Sequence, residues 1–187
     1  DLKGAIYHNT DGYINPADVT MAMAKGARQR GVMIERKWQA DAFHWTGEAW
    51  EVTATKMVEK GGNLIPSDEQ VTIHAEHVVT ATGNHAQRTA QLLGIKIPAI
   101  PVEHQYIVTD DIPEIYDRAT EFPHVIDPGG ESYLRQEGKG LCIGFYEQPC
   151  RTWAVERTSW EFGQDLLPND FDKIEHSIDF AYKRFPD

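Results

Sequence analysis

The sequence predicts a mixed α/β fold in two differently built parts, and three observations support this. A helical pattern that ends on a glycine and leads into a short apolar run at 32–34 is typical of half a βαβ unit in a doubly wound sheet. Segments with a period of two follow, which indicates a β-meander. Beyond residue 97, prolines punctuate new strand patterns. We therefore expect one domain at 1–97 and a second, built on an antiparallel sheet, at 98–187.

The first part contains one clear helix. Asn15 is a favourable N-cap, Pro16 suits the first turn and Gly31 can end the helix. A second helix is expected at 86–93, with Gly94 as its stop. Apolar runs and period-two alternation predict strands at 4–8, 32–34, 38–45, 50–58, 69–74 and 77–83.

The second part is predicted to combine a sheet with a closing helix. Strands are expected at 105–109, 132–135 and 141–146, which are rich in β-branched and aromatic residues. The helix should begin near Asn169 or Asp170. Its apolar stripe consists of Phe171, Ile174, Ile178, Ala181 and Phe185.

Composition excludes several classes of protein. Of 187 residues, 41% are hydrophobic and 25% charged, which excludes global disorder, collagen and coiled coil. The net charge is −11 and no run of Lys or Arg occurs, so neither nucleic acid nor an anionic membrane is expected as a partner. No signal peptide is visible. Cys142 and Cys150 are too few for a disulfide framework, which favours a reducing compartment: the cytoplasm, or the mitochondrial matrix in a eukaryote.

Common catalytic and metal motifs are missing from the sequence. No G-x-G-x-x-G follows the first strand, and no G-x-S-x-G occurs. His74 and His77 should point to opposite faces of a strand, so no metal site is expected. The small residues at 81–83 suit either a plain strand end or a close approach of backbone to ligand. By composition alone, His104 indicates a satisfied histidine at a strand start, and Tyr133 a core aromatic.

Several stretches together resemble one family. They are Tyr7-His8-Asn9-Thr10-Asp11-Gly12-Tyr13-Ile14-Asn15-Pro16, the helix around Ala24-Lys25-Gly26-Ala27-Arg28, the strand end Thr80 to Gly83, Val102-Glu103-His104-Gln105-Tyr106 within 101–109, and Tyr133-Leu134-Arg135-Gln136-Glu137-Gly138. The chain is similar through these stretches to the dimethylglycine dehydrogenase, dimethylglycine oxidase and sarcosine dehydrogenase group. These are flavoproteins of the D-amino-acid-oxidase-like superfamily.

The resemblance implies part of an FAD-binding domain followed by part of a substrate domain. It places Ala40 and the strand end Ala81, Thr82 and Gly83 beside FAD. It makes His104 and Tyr133 the active-site histidine and tyrosine. The sequence departs from the family's usual Ala-Gly-x-Trp at this strand end, where it has Thr82-Gly83-Asn84-His85.

The implied activity is FAD-dependent oxidation of a secondary or tertiary N-methyl amine such as sarcosine or dimethylglycine. Oxygen or an electron-transfer protein would reoxidise the flavin, and tetrahydrofolate would take the carbon where a folate domain is fused. Because the family's Gly-rich turn falls outside the sequence, we expect an internal piece of a longer protein, with little activity in isolation. The alternatives are a non-catalytic α/β binding module and a structural domain without a ligand.

Overall fold

The computed structural model describes residues 3–163 and 165–184. These residues form two compact units. The first draws on Asp1–Val32, His104–Cys150 and Pro168–Asp187, and the second on Met33–Glu103 and Arg151–Leu167. The assignment of 1–97 and 98–187 to two domains of a larger fold stays a prediction.

The elements follow one another in a mixed α/β order. They are α1 (Pro16–Gln29), β1 (Trp38–Trp45), β2 (Trp50–Lys60), β3 (Asn63–Ala75), α2 (Ala86–Leu92), β4 (Tyr106–Val108), α3 (Pro113–Tyr116), β5 (Val125–Asp127), β6 (Ser132–Glu137), β7 (Gly140–Phe145) and α4 (Phe171–Arg184). A single 3₁₀ turn, Gly83–His85, precedes α2.

The second unit is built on the predicted meander. Strands β1, β2 and β3 pair in sequence order and are antiparallel throughout. Gly61 and Gly62 have φ values of +60° and +83°, a conformation that favours glycine and permits the tight turn between β2 and β3. Strand β3 begins at Asn63, earlier than the predicted residue 69, because residues 63–66 also pair with β2, beyond a register shift between Thr55 and Met57. Helix α2 matches its prediction to within one residue.

The first unit contains a four-stranded antiparallel sheet in the order β4-β7-β6-β5. Helix α4 packs on one face, where Phe145, Ile174 and Ala181 form a buried cluster. Ile107, Ile143 and Ile178 pack around that cluster. The predicted apolar stripe of α4 is therefore confirmed at its centre, whereas Phe171 is exposed and Phe185 lies outside the described residues.

Both long helices begin where the capping residues predict. The Asn15 side chain accepts hydrogen bonds from the backbone N–H groups of Ala17 and Asp18, at 2.9 and 3.1 Å. Asp170 accepts from the N–H of Lys173 at 3.3 Å and so caps α4. These bonds satisfy first-turn N–H groups that have no partner within the helix.

Three predicted strands are wrong. Segments 4–8, 32–34 and 77–83 have no strand neighbour within the described residues, and Ile6, Met33 and Val79 are almost fully exposed. An apolar run becomes a buried strand only when other strands pair with it and helices cover it. The doubly wound sheet is accordingly not seen in the described part of the chain. The short elements α3 and β5 were not predicted, because three or four residues give too little periodicity.

Within residues 3–163 and 165–184, no helix is both long and apolar enough to cross a bilayer.

Candidate active site

The face of the four-stranded sheet opposite α4 presents the first predicted site residue. Tyr133 lies on β6 directly opposite Gly144 of β7, and Gly144 in turn lies opposite Tyr106 of β4. The Tyr133 ring lies across Gly144. A Cβ added at Gly144 would come within 3.0 Å of the Tyr133 ring atoms Cε1 and Cζ and of its hydroxyl oxygen. The missing side chain at Gly144 therefore makes room for the tyrosine ring.

His104 joins Tyr133 in a small aromatic cluster with Tyr146. The His104 and Tyr133 rings are stacked, with centroids 6.2 Å apart and an interplanar angle of 26°. Tyr146 lies 5.6 Å from each of the other two rings. The structure thus brings together the two residues that the sequence predicts as catalytic, although they are 29 positions apart in the chain.

The polar environment of the two rings differs. Burial raises the pKa of Tyr133 above its ordinary value, so its hydroxyl stays protonated at neutral pH and can donate a hydrogen bond. His104 keeps 40% of its side chain exposed, and its Nδ1 lies 3.3 Å from Oε2 of Glu147. Glu147 was not among the site residues predicted from the sequence. It directly follows the aromatic pair Phe145 and Tyr146, and only 3% of its side chain is accessible.

Arg135 stands on the same face as Tyr133, two positions further along β6. Its Nη1 pairs with the Glu137 carboxylate, and its guanidinium lies 5.8 Å from the centre of the Tyr13 ring. About a third of the side chain stays exposed. The face therefore also offers a cation two positions from Tyr133 on β6, which was not among the site residues predicted from the sequence.

The aromatic cluster continues toward an open cavity of about 470 Å³. His124 meets Tyr133 edge-on at 5.8 Å and Tyr13 edge-on at 6.1 Å. The Tyr13 hydroxyl donates a very short hydrogen bond to Glu121, and this bond together with burial raises the pKa of Tyr13 to about 12. Tyr13, Glu121 and His124 all line the cavity, as do Tyr7, Asp11 and Phe122.

The predicted cofactor-binding residues lie in the second unit. Ala40 stands on β1 next to a register shift and pairs with Ala54. Ala81, Thr82 and Gly83 lead into α2, and the Thr82 hydroxyl accepts a hydrogen bond from Thr89 at 3.0 Å. Gly83 has a φ of +52°, and no atom lies within 4 Å of the place where its Cβ would stand. All three residues at 81–83 are exposed.

The chemistry of residues 81–83 fits a flat, polar cofactor that approaches the backbone. Small side chains leave the main chain accessible, as a dinucleotide requires. His85, which stands where the resembled family has Trp, packs against Trp160 with centroids 5.1 Å apart. Its Nδ1 is buried and has no hydrogen-bond partner within the described residues. An unpaired polar atom beside Gly83 is consistent with a polar ligand at this turn.

Within the described ranges, no three His, Cys, Asp or Glu side chains converge. The residues predicted for the site thus lie in both units: His104 and Tyr133 in the first, and Ala40 and residues 81–83 in the second. The profile of the family described as FAD dependent oxidoreductase matches residues 1–187. The chain belongs to that family.

Individual relatives agree with the resemblance found in the sequence. The chain is 33% identical over 190 residues to mitochondrial dimethylglycine dehydrogenase from Rattus norvegicus, covering 99% of the chain and 21% of that protein. It is 27% identical over 186 residues to mitochondrial sarcosine dehydrogenase from Mus musculus, covering 100% of the chain and 19% of that protein. It is 28% identical over 148 residues to 4-methylaminobutanoate oxidase (formaldehyde-forming) from Paenarthrobacter nicotinovorans, covering 78% of the chain and 16% of that protein. The chain thus spans about a fifth of the length of these relatives.

Proposed function

We propose that this chain forms part of an FAD-dependent enzyme that oxidises a secondary or tertiary N-methyl amine such as sarcosine or dimethylglycine. The family is that of FAD-dependent oxidoreductases, and the three relatives are named for N-methylated amino acids. The observation on which the proposal chiefly depends is the stacking of His104 and Tyr133 on an exposed sheet face. In this position a histidine and a tyrosine can act together on one small substrate.

His104 would act on the substrate's proton. An N-methyl amine is protonated in neutral water and must lose that proton before its methyl carbon can give up a hydride. Imidazole is the side chain best suited to accept a proton near neutral pH. The proton would pass from the ammonium nitrogen to Nε2 of His104, which has no hydrogen-bond partner within the described part of the chain.

Tyr133 and Arg135 would hold the substrate in place. The protonated Tyr133 hydroxyl can donate to an acceptor or orient a water beside the amine. The Arg135 guanidinium can bind the carboxylate of an N-methylated amino acid, a pairing whose two planar groups match in geometry. Both side chains project from the same face of β6.

Ala40, Ala81, Thr82 and Gly83 would hold FAD through the backbone, as their small side chains allow. FAD, when bound, supplies the acceptor for the hydride that leaves the N-methyl carbon. Oxygen or an electron-transfer protein would then reoxidise it, and tetrahydrofolate would be a further cofactor where a folate domain is present. A reducing compartment, either the cytoplasm or the mitochondrial matrix, suits two free cysteines.

The test is an anaerobic titration of the full-length FAD-loaded protein. Sarcosine, dimethylglycine and 4-methylaminobutanoate are added in turn, and flavin absorbance is followed in a stopped-flow instrument. Glycine serves as the control, because it has no N-methyl carbon. We expect at least one methylated amine to bleach the flavin and glycine to leave it oxidised. Failure of all three N-methyl amines would contradict the proposal and favour a non-catalytic binding module.

A further inference from the structure

We propose that Glu147 is a positioning residue for His104, which holds the imidazole in one orientation and one tautomer. This inference depends on the proposed function, because it assigns Glu147 a role in the proton transfer proposed for His104. The residue lies outside every stretch on which the family resemblance was recognised. Its importance is visible only in the three-dimensional structure.

The Glu147 carboxylate is buried. Only 3% of this side chain is exposed. A buried carboxylate costs free energy unless hydrogen bonds compensate for the lost water. Both oxygens are compensated: Oε1 accepts from the backbone N–H of Gln105 at 3.0 Å, and Oε2 faces Nδ1 of His104 at 3.3 Å. All of its identified bonds therefore go to two consecutive residues, His104 and Gln105.

Hydrogen bonds connect the elements that carry Glu147 and His104. The N–H of Phe145 donates to the carbonyl of Gln105 at 3.3 Å, which joins the end of β7 to the chain before β4. The Gln105 side chain bonds both the N–H and the carbonyl of Asp170, at 2.8 and 3.1 Å, at the start of α4. Glu147 and His104 thus project from neighbouring strand ends that are bonded to each other and to a helix cap.

The contact with Glu147 selects which ring nitrogen of neutral His104 carries the hydrogen. A carboxylate can only accept hydrogen bonds, so the pairing requires the hydrogen of neutral His104 to sit on Nδ1. The lone pair then lies on Nε2, the ring atom free to accept a proton from substrate. When the ring becomes an imidazolium, the same carboxylate stabilises its charge. Within the first unit, Glu147, Tyr133 and Tyr146 are the titratable groups found against the ring, and Glu147 is the acidic one.

The test compares variants of the full-length FAD-loaded protein. Glu147→Gln keeps an amide oxygen for the Gln105 N–H but removes the charge and turns an N–H toward Nδ1. Glu147→Asp keeps the carboxylate on a shorter stem. Glu175→Gln is the matched control, since Glu175 is an exposed carboxylate on α4. Two measurements are made: flavin reduction by substrate as a function of pH, and deuterium exchange at Cε1 of His104, followed by mass spectrometry across pH.

If Glu147 positions His104, Glu147→Gln slows flavin reduction roughly 10- to 100-fold, as loss of an orienting partner typically does. The acid limb of its rate profile moves toward lower pH, because the imidazolium has lost its counter-charge. The midpoint of Cε1 exchange moves the same way. Glu147→Asp recovers part of both effects, and Glu175→Gln matches the unmodified protein.

Other outcomes would contradict the inference about Glu147 or the proposed function. An unchanged rate profile and exchange midpoint in Glu147→Gln would overturn the inference and leave the proposed function intact. Absence of flavin reduction in the unmodified protein would contradict the proposed function, while the exchange midpoint would still decide whether Glu147 pairs with His104. If Glu147→Gln loses its fold, as shown by thermal unfolding, the exchange midpoint of Glu147→Asp decides instead: a downward shift supports the inference and no shift overturns it.

Discussion

Tyr133 lies flat across Gly144, its partner on the neighbouring strand, and occupies the space that any other residue at 144 would fill. A side chain on β6 is therefore positioned by the absence of one on β7. The arrangement places the tyrosine ring beside His104 on the face of the sheet that α4 leaves open.

The first prediction follows from this contact. Gly144→Ala should displace the Tyr133 ring, because the new methyl group would overlap it. We expect a loss of stability of roughly 1–3 kcal/mol, as for overpacked sites. Flavin reduction should also slow. Gly163→Ala is the control, since an added Cβ there would meet nothing within 4 Å. Urea unfolding and stopped-flow reduction measure the two effects, and equal behaviour of both variants would refute the prediction.

The second prediction concerns the two candidate catalytic residues. His104→Ala or Tyr133→Phe should slow flavin reduction by substrate roughly 10²- to 10⁴-fold, the usual effect of losing a group that transfers or orients a proton. His176→Ala and Tyr182→Phe are matched controls, because both side chains lie exposed on α4. If the flavin is reduced at the unmodified rate in both site variants, His104 and Tyr133 take no part in the reaction.

The third prediction concerns Arg135 and the substrate carboxylate. Arg135→Met should raise KM for dimethylglycine by about 10- to 100-fold, because a charge-assisted hydrogen bond contributes roughly 1.5–3 kcal/mol. The change in kcat should be smaller. Dimethylglycinamide, which has no negative charge, should be affected much less by the same substitution. A similar rise in KM for both compounds would show that Arg135 acts on something other than the carboxylate.

The fourth prediction concerns stability at low pH. Burial raises the pKa of Asp127, but hydrogen bonds from Arg184, at 2.7 Å, and from the Gly129 and Gly130 backbone outweigh this and leave it below the ordinary value. A carboxyl with a lowered pKa in the folded state stabilises the protein above its unfolded pKa, about 3.9, and ceases to do so as pH falls through the lowered value.

Asp127→Asn should therefore destabilise the protein at pH 7 by roughly 1.5–3 kcal/mol, through loss of hydrogen bonds to a charged group. The difference between the two proteins should begin to shrink below about pH 4, where Asp127 of the unfolded chain becomes protonated, and should be lost as the pH falls through the lowered pKa of the folded state. Urea unfolding at pH 7 and at successively lower pH measures this. A difference that stays constant down to pH 2 would mean that Asp127 stabilises the sheet without being ionised.

Much of the local structure was predictable because local physics determines it. Asn15 and Pro16 specify the start of α1, and Gly61 and Gly62 specify a turn, through short-range hydrogen bonds and backbone freedom. The meander strands also followed from alternation alone. The strand predictions for 4–8, 32–34 and 77–83 were wrong for the opposite reason. These segments have the composition of buried strands, but a strand also depends on neighbours that its own residues do not specify.

The sequence by itself determined the capped helices, the antiparallel strands, the family and the candidates His104 and Tyr133, because each depends on residues close together in the chain or on a recognisable motif. Only the tertiary structure decided that these two rings stack, that Gly144 makes room for one of them and that Glu147 is buried beside the other. The physical reason is the register of the strands. Cross-strand pairing between β4, β6 and β7 brings together side chains whose separation in the sequence does not predict that they are in contact.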